Sequence, residues 1–402
     1  MADIVFGVAV GAWAILTILS SLLLITSVFL LLECLFALGG RCSIPLATIP
    51  TTLTLAVMVP AHNEATGIEL TLTSLQSQLR PQDRLLVIAD NCTDDTAAVA
   101  RRAGATVIER QNLAQRGKGY ALDFGLQYLA SSPPDVVILV DADCTVHPGS
   151  LAALTTQAAQ TQRPVQATYL MDKPLQPQLK DAISAFAFKV KNLVRPLGLW
   201  QLGQPCLLTG TGIALPWRAA TAVSIASGHI VEDMKLGLDL ALVGYPPGFC
   251  QAAYVTSRLP SLAAAATSQR TRWEHGHLQM FLDYGPKLFV QALAQGRLDL
   301  LALGLELTVL PISLQVAVTV ALAGLAGLVG LAGWGWLPFY LTTAAGFCLG
   351  TAIGAAWWGY GRSDLALQEL SMVPIYVLNK LPLYFKFLVK PEKNWVRTER
   401  DS

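Results

Sequence analysis

Apolar and polar residues follow three different patterns along this chain. From Phe6 to Leu38 the sequence is apolar almost throughout, and Glu33 is its only charged side chain. This run exceeds the ~20 residues needed to cross a hydrocarbon core. From about residue 53 to 297, apolar runs of strand length alternate with segments of helical period. Leu53–Pro60, Arg84–Asp90, Ala105–Glu109, Asp135–Asp141 and Pro164–Leu170 predict strands; 65–79, 94–103, 118–130 and 149–160 predict helices. Such alternation predicts an α/β fold with a mainly parallel sheet and helices on both faces. Beyond Arg297 the chain turns apolar again, and spans are expected near Leu307–Leu331 and Pro338–Trp358. The turn between them, Ala332-Gly333-Trp334-Gly335-Trp336, carries tryptophans suited to a membrane interface.

Two segments fit neither pattern. In Gln178–Val194, Leu179, Ile183, Phe186, Val190 and Leu193 repeat at helical spacing, with Lys180, Lys189 and Lys191 among the rest. That segment reads as a core-facing helix or as a helix lying on a membrane surface. Met372–Val389 is apolar but interrupted by Pro374, Asn379, Lys380, Pro382 and Lys386, and reads as an interfacial helix. Lys390, Lys393, Arg397 and Arg400 follow it and predict a cytosolic tail. Arg41 is the first positive charge after the first apolar run and none precedes it, so the domain that follows is expected in the cytosol. Without a basic n-region or a clear cleavage site, the run reads as an uncleaved anchor. The expected organisation is an N-terminal anchor over 1–40, a cytosolic domain over 50–297, two membrane helices over 298–360, and an interfacial helix with a basic tail over 361–402. Such a protein would sit in the cell (inner) membrane.

Composition supports the membrane reading. Apolar residues make up 53% and charged residues 14%, the latter well below the roughly 25% of soluble domains. Mean hydropathy is +0.48. A net charge of +1, without a basic and aromatic cluster, excludes a nucleic-acid partner. The seven cysteines are scattered without paired spacing and read as reduced apolar residues. Asn91-Cys92-Thr93 is a formal glycosylation sequon, discounted by the cytosolic placement.

The candidate chemistry gathers at strand ends. Val136-Val137-Ile138-Leu139-Val140 runs straight into Asp141-Ala142-Asp143. A buried strand thereby delivers two carboxylates to the sheet edge where α/β proteins place ligands. Carboxylates so close repel unless a cation lies between them, and Mg²⁺ or Mn²⁺ shared with a phosphate is the usual cation. Two more acidic segments close strands: Val59-Pro60-Ala61-His62-Asn63-Glu64, and Ala89 to Thr96 with Asp90 at its head. Arg116-Gly117-Lys118-Gly119 opens a helix, a position that favours an anion. Glu232-Asp233 and Gln269-Arg270-Thr271-Arg272-Trp273 complete the set. Of the five histidines, His275-Gly276-His277 is spaced wrongly for two metal ligands on one helical face, and all five read as polar surface or interface residues.

In this order the motifs resemble the membrane-bound family 2 glycosyltransferases, the group of cellulose, hyaluronan and poly-N-acetylglucosamine synthases and ceramide glucosyltransferases. The match covers about residues 55–280. It implies a GT-A (Rossmann-like) domain flanked by transmembrane helices. By position, Glu64 and Asp90 would lie at the nucleoside, most often uridine, and Lys118 near the nucleotide. Asp141 and Asp143 would hold Mg²⁺ or Mn²⁺ on the diphosphate. Asp233 would be the general base, while Gln269, Arg272 and Trp273 would border the diphosphate and acceptor. Glu232 carries little information, because members vary there. The residue types suit the chemistry independently. Losing a nucleoside diphosphate needs cations such as Lys118, Arg272 and a divalent ion, and an acceptor hydroxyl needs a carboxylate to take its proton. Trp273 offers an apolar face for a sugar or lipid, or is a core tryptophan. Thr209-Gly210-Thr211-Gly212 reads as a loop near the donor sugar or as a tight turn.

The implied activity is inverting transfer from a nucleotide sugar, with a UDP-sugar the expected donor. The product would be a β-linkage to a lipid or to a growing polysaccharide. Three spans are few for a polysaccharide channel, so a polymerase would need an oligomer or channel partner. The alternative is a non-catalytic membrane subunit or scaffold of a synthase. A transporter fits poorly, since Glu33 and Glu306 are the nearest intramembrane charges.

Overall fold

A computed structural model describes residues 2–40, 49–173, 179–258 and 263–389. Arg41 and the basic tail from Lys390 onward, on which the orientation partly rested, lie outside the described residues.

Helix α1 (Ala2–Leu38) leads into an alternating series: β1 (Leu55–Ala61), α2 (Ile68–Gln76), β2 (Arg84–Asp90), α3 (Thr96–Arg102), β3 (Thr106–Arg110), α4 (Lys118–Leu129) and β4 (Val136–Leu139). Strands β1, β2 and β3 pair in parallel, and β4 joins β1 on its other side, also parallel. This half is Rossmann-like, and its strand cores are fully buried runs such as Val57, Val59, Val87 and Ile138, as expected of a sheet covered on both faces. The expected strands are all present, with ends shifted by up to two residues.

The second half is mixed. It holds β5 (Thr145–Val146), α5 (Ser150–Thr161), β6 (Val165–Asp172), β7 (Ile213–Pro216) and β8 (Gly248–Arg258). The single sheet has order β3-β2-β1-β4-β7-β6-β8-β5. Strands β6 and β8 are parallel, whereas β7 runs antiparallel to both β4 and β6, and β5 antiparallel to β8. Strands β5, β7 and β8 were not expected from the sequence. Four and two residues are too short to show a period, and β8 pairs with β6 through an irregular register at Ala167/Thr168.

Between β6 and β7 lie α6 (Leu179–Lys189), a π-turn (Val190–Val194) and α7 (Arg195–Gln201). Both readings of this segment meet here: Phe186, Val190, Val194 and Leu197 are buried, but against Leu30 and Cys34 of α1 and the end of α13. After α8 (Trp217–Ala220) and α9 (Glu232–Leu242) come α10 (Ala263–Gln295) and α11 (Leu298–Thr308). α12 (Ile312–Leu331) and α13 (Leu337–Ala356) follow, the latter extended by a π-turn to Gly361, and then a 3₁₀ turn (Leu367–Met372) and α14 (Val373–Val389). Val10–Leu38, Ile312–Leu331 and Leu337–Gly361 are long and apolar enough to cross a membrane, with mean hydropathies of 2.6, 2.1 and 1.4. The expected span from Leu307 therefore starts at Ile312. Pro311 caps the new helix, and Leu307 is buried in a separate cluster with Leu238 of α9 and Leu288 of α10.

Candidate active site

The C-terminal ends of β1, β2 and β4 meet the loops that carry most of the sequence candidates. After β4 the chain places Asp141 half-buried and Asp143 exposed. Ligand atoms of Asp141, Asp143 and Cys144 lie within 4.8 Å of one another. Two carboxylates on an open edge suit a hard divalent ion that shares oxygens with a phosphate. Cys144 suits it less: burial, then the charges of Asp143 and Asp141, push its thiol well above its usual value, so it stays protonated.

Lys118, the first residue of α4, forms an ion pair with Asp141. Burial alone would lower its pKa, but Asp141, Glu232 and Asp233 outweigh that effect and hold the ammonium above the usual lysine value. The neighbouring glycines serve packing as well as ligand access. A Cβ on Gly119 would lie 2.6 Å from the Ile225 and Ser227 carbonyl oxygens, so only glycine lets α4 start there.

Gly210 ties the two sides of the site together. Its carbonyl accepts from Lys118 Nζ at 2.6 Å, and its N–H donates to Asp233 Oδ2. Gly210 has φ +67° and Gly212 +68°, so the loop is a tight turn as well as a wall of the site. Buried Gln166 holds this loop, accepting from Thr209 N at 2.8 Å and donating to the Thr211 carbonyl at 2.9 Å. Thr211 Oγ1 in turn accepts from Asp141 N at 3.0 Å. Glu232 opens α9 beside Asp233. Burial, then the charge of Asp233, push its carboxyl up to about 7, with Lys118 pulling the other way.

On the β1–β2 side, Asp90 is buried and its Oδ1 accepts from Arg110 Nη1 at 2.7 Å and from Asn91 Nδ2 at 3.0 Å. Arg110 ends β3 and lies over the Tyr120 ring at 5.7 Å. Glu64 is buried where β1 turns into α2, and its N–H donates to Thr96 Oγ1 at 2.7 Å. Asn63 and Asn91 take matching left-handed conformations (φ +55° and +53°) just past the two strands.

Gln269, Arg272 and Trp273 stand on α10, all partly buried. Trp273 meets Phe188 of α6 at 5.6 Å, and Phe188 meets Tyr169 of β6 edge-on at 5.3 Å. Tyr169 reaches the Gly210 turn, where a Cβ would lie 3.7 Å from its ring. Trp273 is therefore packed by the core along this aromatic row, which runs toward Gly210. The histidine pair sits at helix interfaces: His275 Nε2 is 3.1 Å from the Leu383 carbonyl and His277 Nε2 is 3.1 Å from the Leu307 carbonyl. Both are buried, so the surface alternative is wrong for them.

Sequence reasoning missed Arg110, Gln166 and the weight of Glu232. Arg110 had a weak signal, a basic residue at the end of a strand, but Glu109 before it breaks the apolar run that marks the aspartates. Gln166 had none, because its partners are over forty residues away.

Residues 50–276, more than half of the chain, match the model described as "Glycosyltransferase like family 2". A probable glycosyltransferase, YdaM of Bacillus subtilis, is 25% identical over 263 residues, covering 58% of this chain and 57% of the relative. The 4,4'-diaponeurosporenoate glycosyltransferase of Staphylococcus haemolyticus is 35% identical over 97 residues, covering 23% and 25%. The chain thus spans about half or less of these relatives. A mannosyltransferase from Pyrobaculum calidifontis, solved with GDP-Man and Mn²⁺, is 17% identical with a TM-score of 0.49, covering 85% of this chain and 98% of that one. The matched region is the mixed, Rossmann-like sheet with its edge of carboxylates, and the chain belongs to glycosyltransferase family 2, with the GT-A fold.

Proposed function

We propose that this protein is a membrane-bound, inverting glycosyltransferase. It moves a sugar from a UDP-sugar to a lipid hydroxyl on the cytosolic side of the inner membrane and forms a β-linkage. The observation that carries the proposal is Gly210, whose carbonyl accepts from Lys118 and whose N–H donates to Asp233. Displacement with inversion needs cation and base on opposite sides of the sugar, and a residue without a side chain leaves that space open.

In this reading Glu64 and Asp90 border the nucleoside, with Arg110 fixing the Asp90 carboxylate. Lys118 neutralises the departing diphosphate, together with Arg272, whose planar guanidinium suits phosphate oxygens. Asp141 and Asp143 would hold Mg²⁺ or Mn²⁺, which would add charge neutralisation at the same oxygens. Asp233 takes the acceptor proton as the bond forms. Gln269 borders the diphosphate with Arg272, and Trp273 borders the acceptor.

A lipid acceptor is favoured because α6 and α7 pack directly on α1 and α13, so the acceptor side is continuous with the membrane spans. A relative's name, 4,4'-diaponeurosporenoate glycosyltransferase, points the same way. The test is full-length protein in lipid vesicles with Mg²⁺ or Mn²⁺ and radiolabelled UDP-glucose, UDP-N-acetylglucosamine, UDP-galactose or GDP-mannose. Label in one organic-soluble species supports the proposal. Label in water-soluble polymer makes the chain a polysaccharide synthase with a channel partner. No transfer from any donor leaves the scaffold alternative.

A further inference from the structure

Helix α14 has two opposite faces. Inward, the Tyr376 hydroxyl lies 3.0 Å from Ser184 Oγ of α6. Lys380 pairs with Glu274 of α10, the Leu383 carbonyl lies 3.1 Å from His275 Nε2, and Phe387 meets the His275 ring at 5.2 Å. The Tyr384 hydroxyl lies 2.6 Å from Ser313 Oγ. Outward, Ile375, Leu378, Pro382 and Phe385 recur at i, i+3, i+7 and i+10, one stripe of a helix. Leu378 is 63% exposed and Phe385 65%. Exposed Asn379 and Lys386 border the stripe.

The location identifies what covers this stripe. Ser313 is the second residue of the span Ile312–Leu331, so Tyr384 joins α14 to the very end of a membrane helix. Tyr376 and Val373 pack in the cluster that also contains Cys34 of α1 and Ala356 of α13, both near span ends. The helix therefore lies at headgroup level, where an apolar stripe enters the acyl boundary and a flanking lysine reaches outward to phosphates.

We propose that α14 is a clamp docked on the bilayer surface: lipid covers its outward stripe while its inward face holds the α10 turn that carries Gln269, Arg272 and Trp273. Glu274 and His275 directly follow Trp273, so both grips fall on the motif itself. The clamping half rests on the functional reading of α10 given above; the docking half does not.

The test uses full-length protein in phosphatidylcholine–phosphatidylglycerol vesicles. Cys42 and the half-exposed Cys92 and Cys348 are replaced by alanine, and one new cysteine at Leu378, Phe385 or the distant exposed Leu70 carries an environment-sensitive fluorophore. Nitroxide lipids are expected to quench the labels at 378 and 385 strongly and the label at Leu70 hardly at all. Equal quenching at all three sites overturns the docking. Self-quenching between copies, which makes a second chain the occupant, overturns it too. For the clamp, Leu378→Asp with Phe385→Asp is expected to cut transfer at least tenfold and to weaken donor binding, because Arg272 borders the diphosphate. The paired change Glu274→Gln with Lys380→Met, which leaves no orphan charge, is expected to do the same with the labels still quenched. Unchanged transfer in either variant overturns the clamp. If wild-type protein transfers no sugar, the functional reading fails, and the quenching still decides the docking.

Discussion

Two cations in this chain each face more acid than they can neutralise, and they do so in opposite ways. Lys118 sits among Asp141, Glu232 and Asp233 at an open sheet edge. Arg195 of α7 sits between Glu33 of α1, at 2.9 Å, and Glu306 of α11, at 2.6 Å, with all three residues buried. The ammonium is compact and readily rehydrated, so it can change partners when a diphosphate or metal arrives. The guanidinium is a rigid fork that fixes two carboxylates at once, and Arg195 also donates to the Glu306 carbonyl at 3.1 Å. Surplus negative charge at the open edge suits a divalent cation. In the sealed centre it joins the apolar helix α1, the family 2 domain and the helix α11 that leads to α12. Ionic composition alone does not distinguish these cases; solvent access and cation geometry do.

The strongest attempt to break the comparison removes one member from each centre. Asp233→Asn is expected to reduce transfer by about 10²–10⁴-fold, the usual range for a general base. Donor affinity and melting temperature should stay near wild type, measured by nucleotide titration and thermal unfolding in detergent. Unchanged product formation would remove Asp233 from the base role. Arg195→Met is expected to do the reverse. It leaves two buried carboxylates together and should cost about 3–5 kcal/mol of stability. Adding Glu33→Gln and Glu306→Gln to it should recover much of that loss; no recovery would mean that the guanidinium's packing, not its charge, holds the joint.

Packing around the sealed centre should give the next largest effect. A Cβ on Gly198 would lie 1.9 Å from the Glu33 carbonyl oxygen, a backbone atom that cannot rotate away. Gly198→Ala should therefore separate α1 from α7 and cost about 1–3 kcal/mol, as overpacking does. Chemical denaturation of the detergent-solubilised protein measures it. A neutral result would show that the two helices slide without penalty and that the joint is looser than its geometry.

The two regions were unequally legible in the sequence. The open site was almost spelled out, since each of its carboxylates follows an apolar strand or opens a helix, and local pattern locates both. Its supports were not: Gln166 acts on Thr209 and Thr211 across a strand pairing that sequence period does not encode. The sealed centre was half visible. Glu33 and Glu306 stood out as charges in or next to apolar runs, but their partner Arg195 lies just past the segment Gln178–Val194 and was not singled out. A buried triad drawn from residues 33, 195 and 306 exists only after the sheet has closed. The parallel half of that sheet was readable because fully buried strands form continuous apolar runs. The mixed half was not, because four-residue β7, antiparallel to both its neighbours, carries no period of its own.

Neutralising one acid in each centre gives the finest test, because the sign of the effect should differ. With the Glu232 carboxyl pushed up to about 7 by burial and then by Asp233, the folded protein keeps a proton that the unfolded chain releases near pH 4.5. Stability then falls as pH rises from about 4.5 to about 7, and the penalty is complete above that window. Glu232→Gln carries no such penalty. It should melt with wild type at pH 5 and about 2–4 °C above it at pH 8, the shift that about 1 kcal/mol gives in a large domain. Equal melting at both pH values would mean that Glu232 is ionised throughout and that Lys118 fully compensates it. Glu306→Gln removes an acid of the same charge from the sealed centre and should lower the melting temperature instead. There the carboxylate is one prong of a fixed guanidinium pair, and losing it removes a buried ion pair that no water can replace, with Glu33 left as the acid facing Arg195.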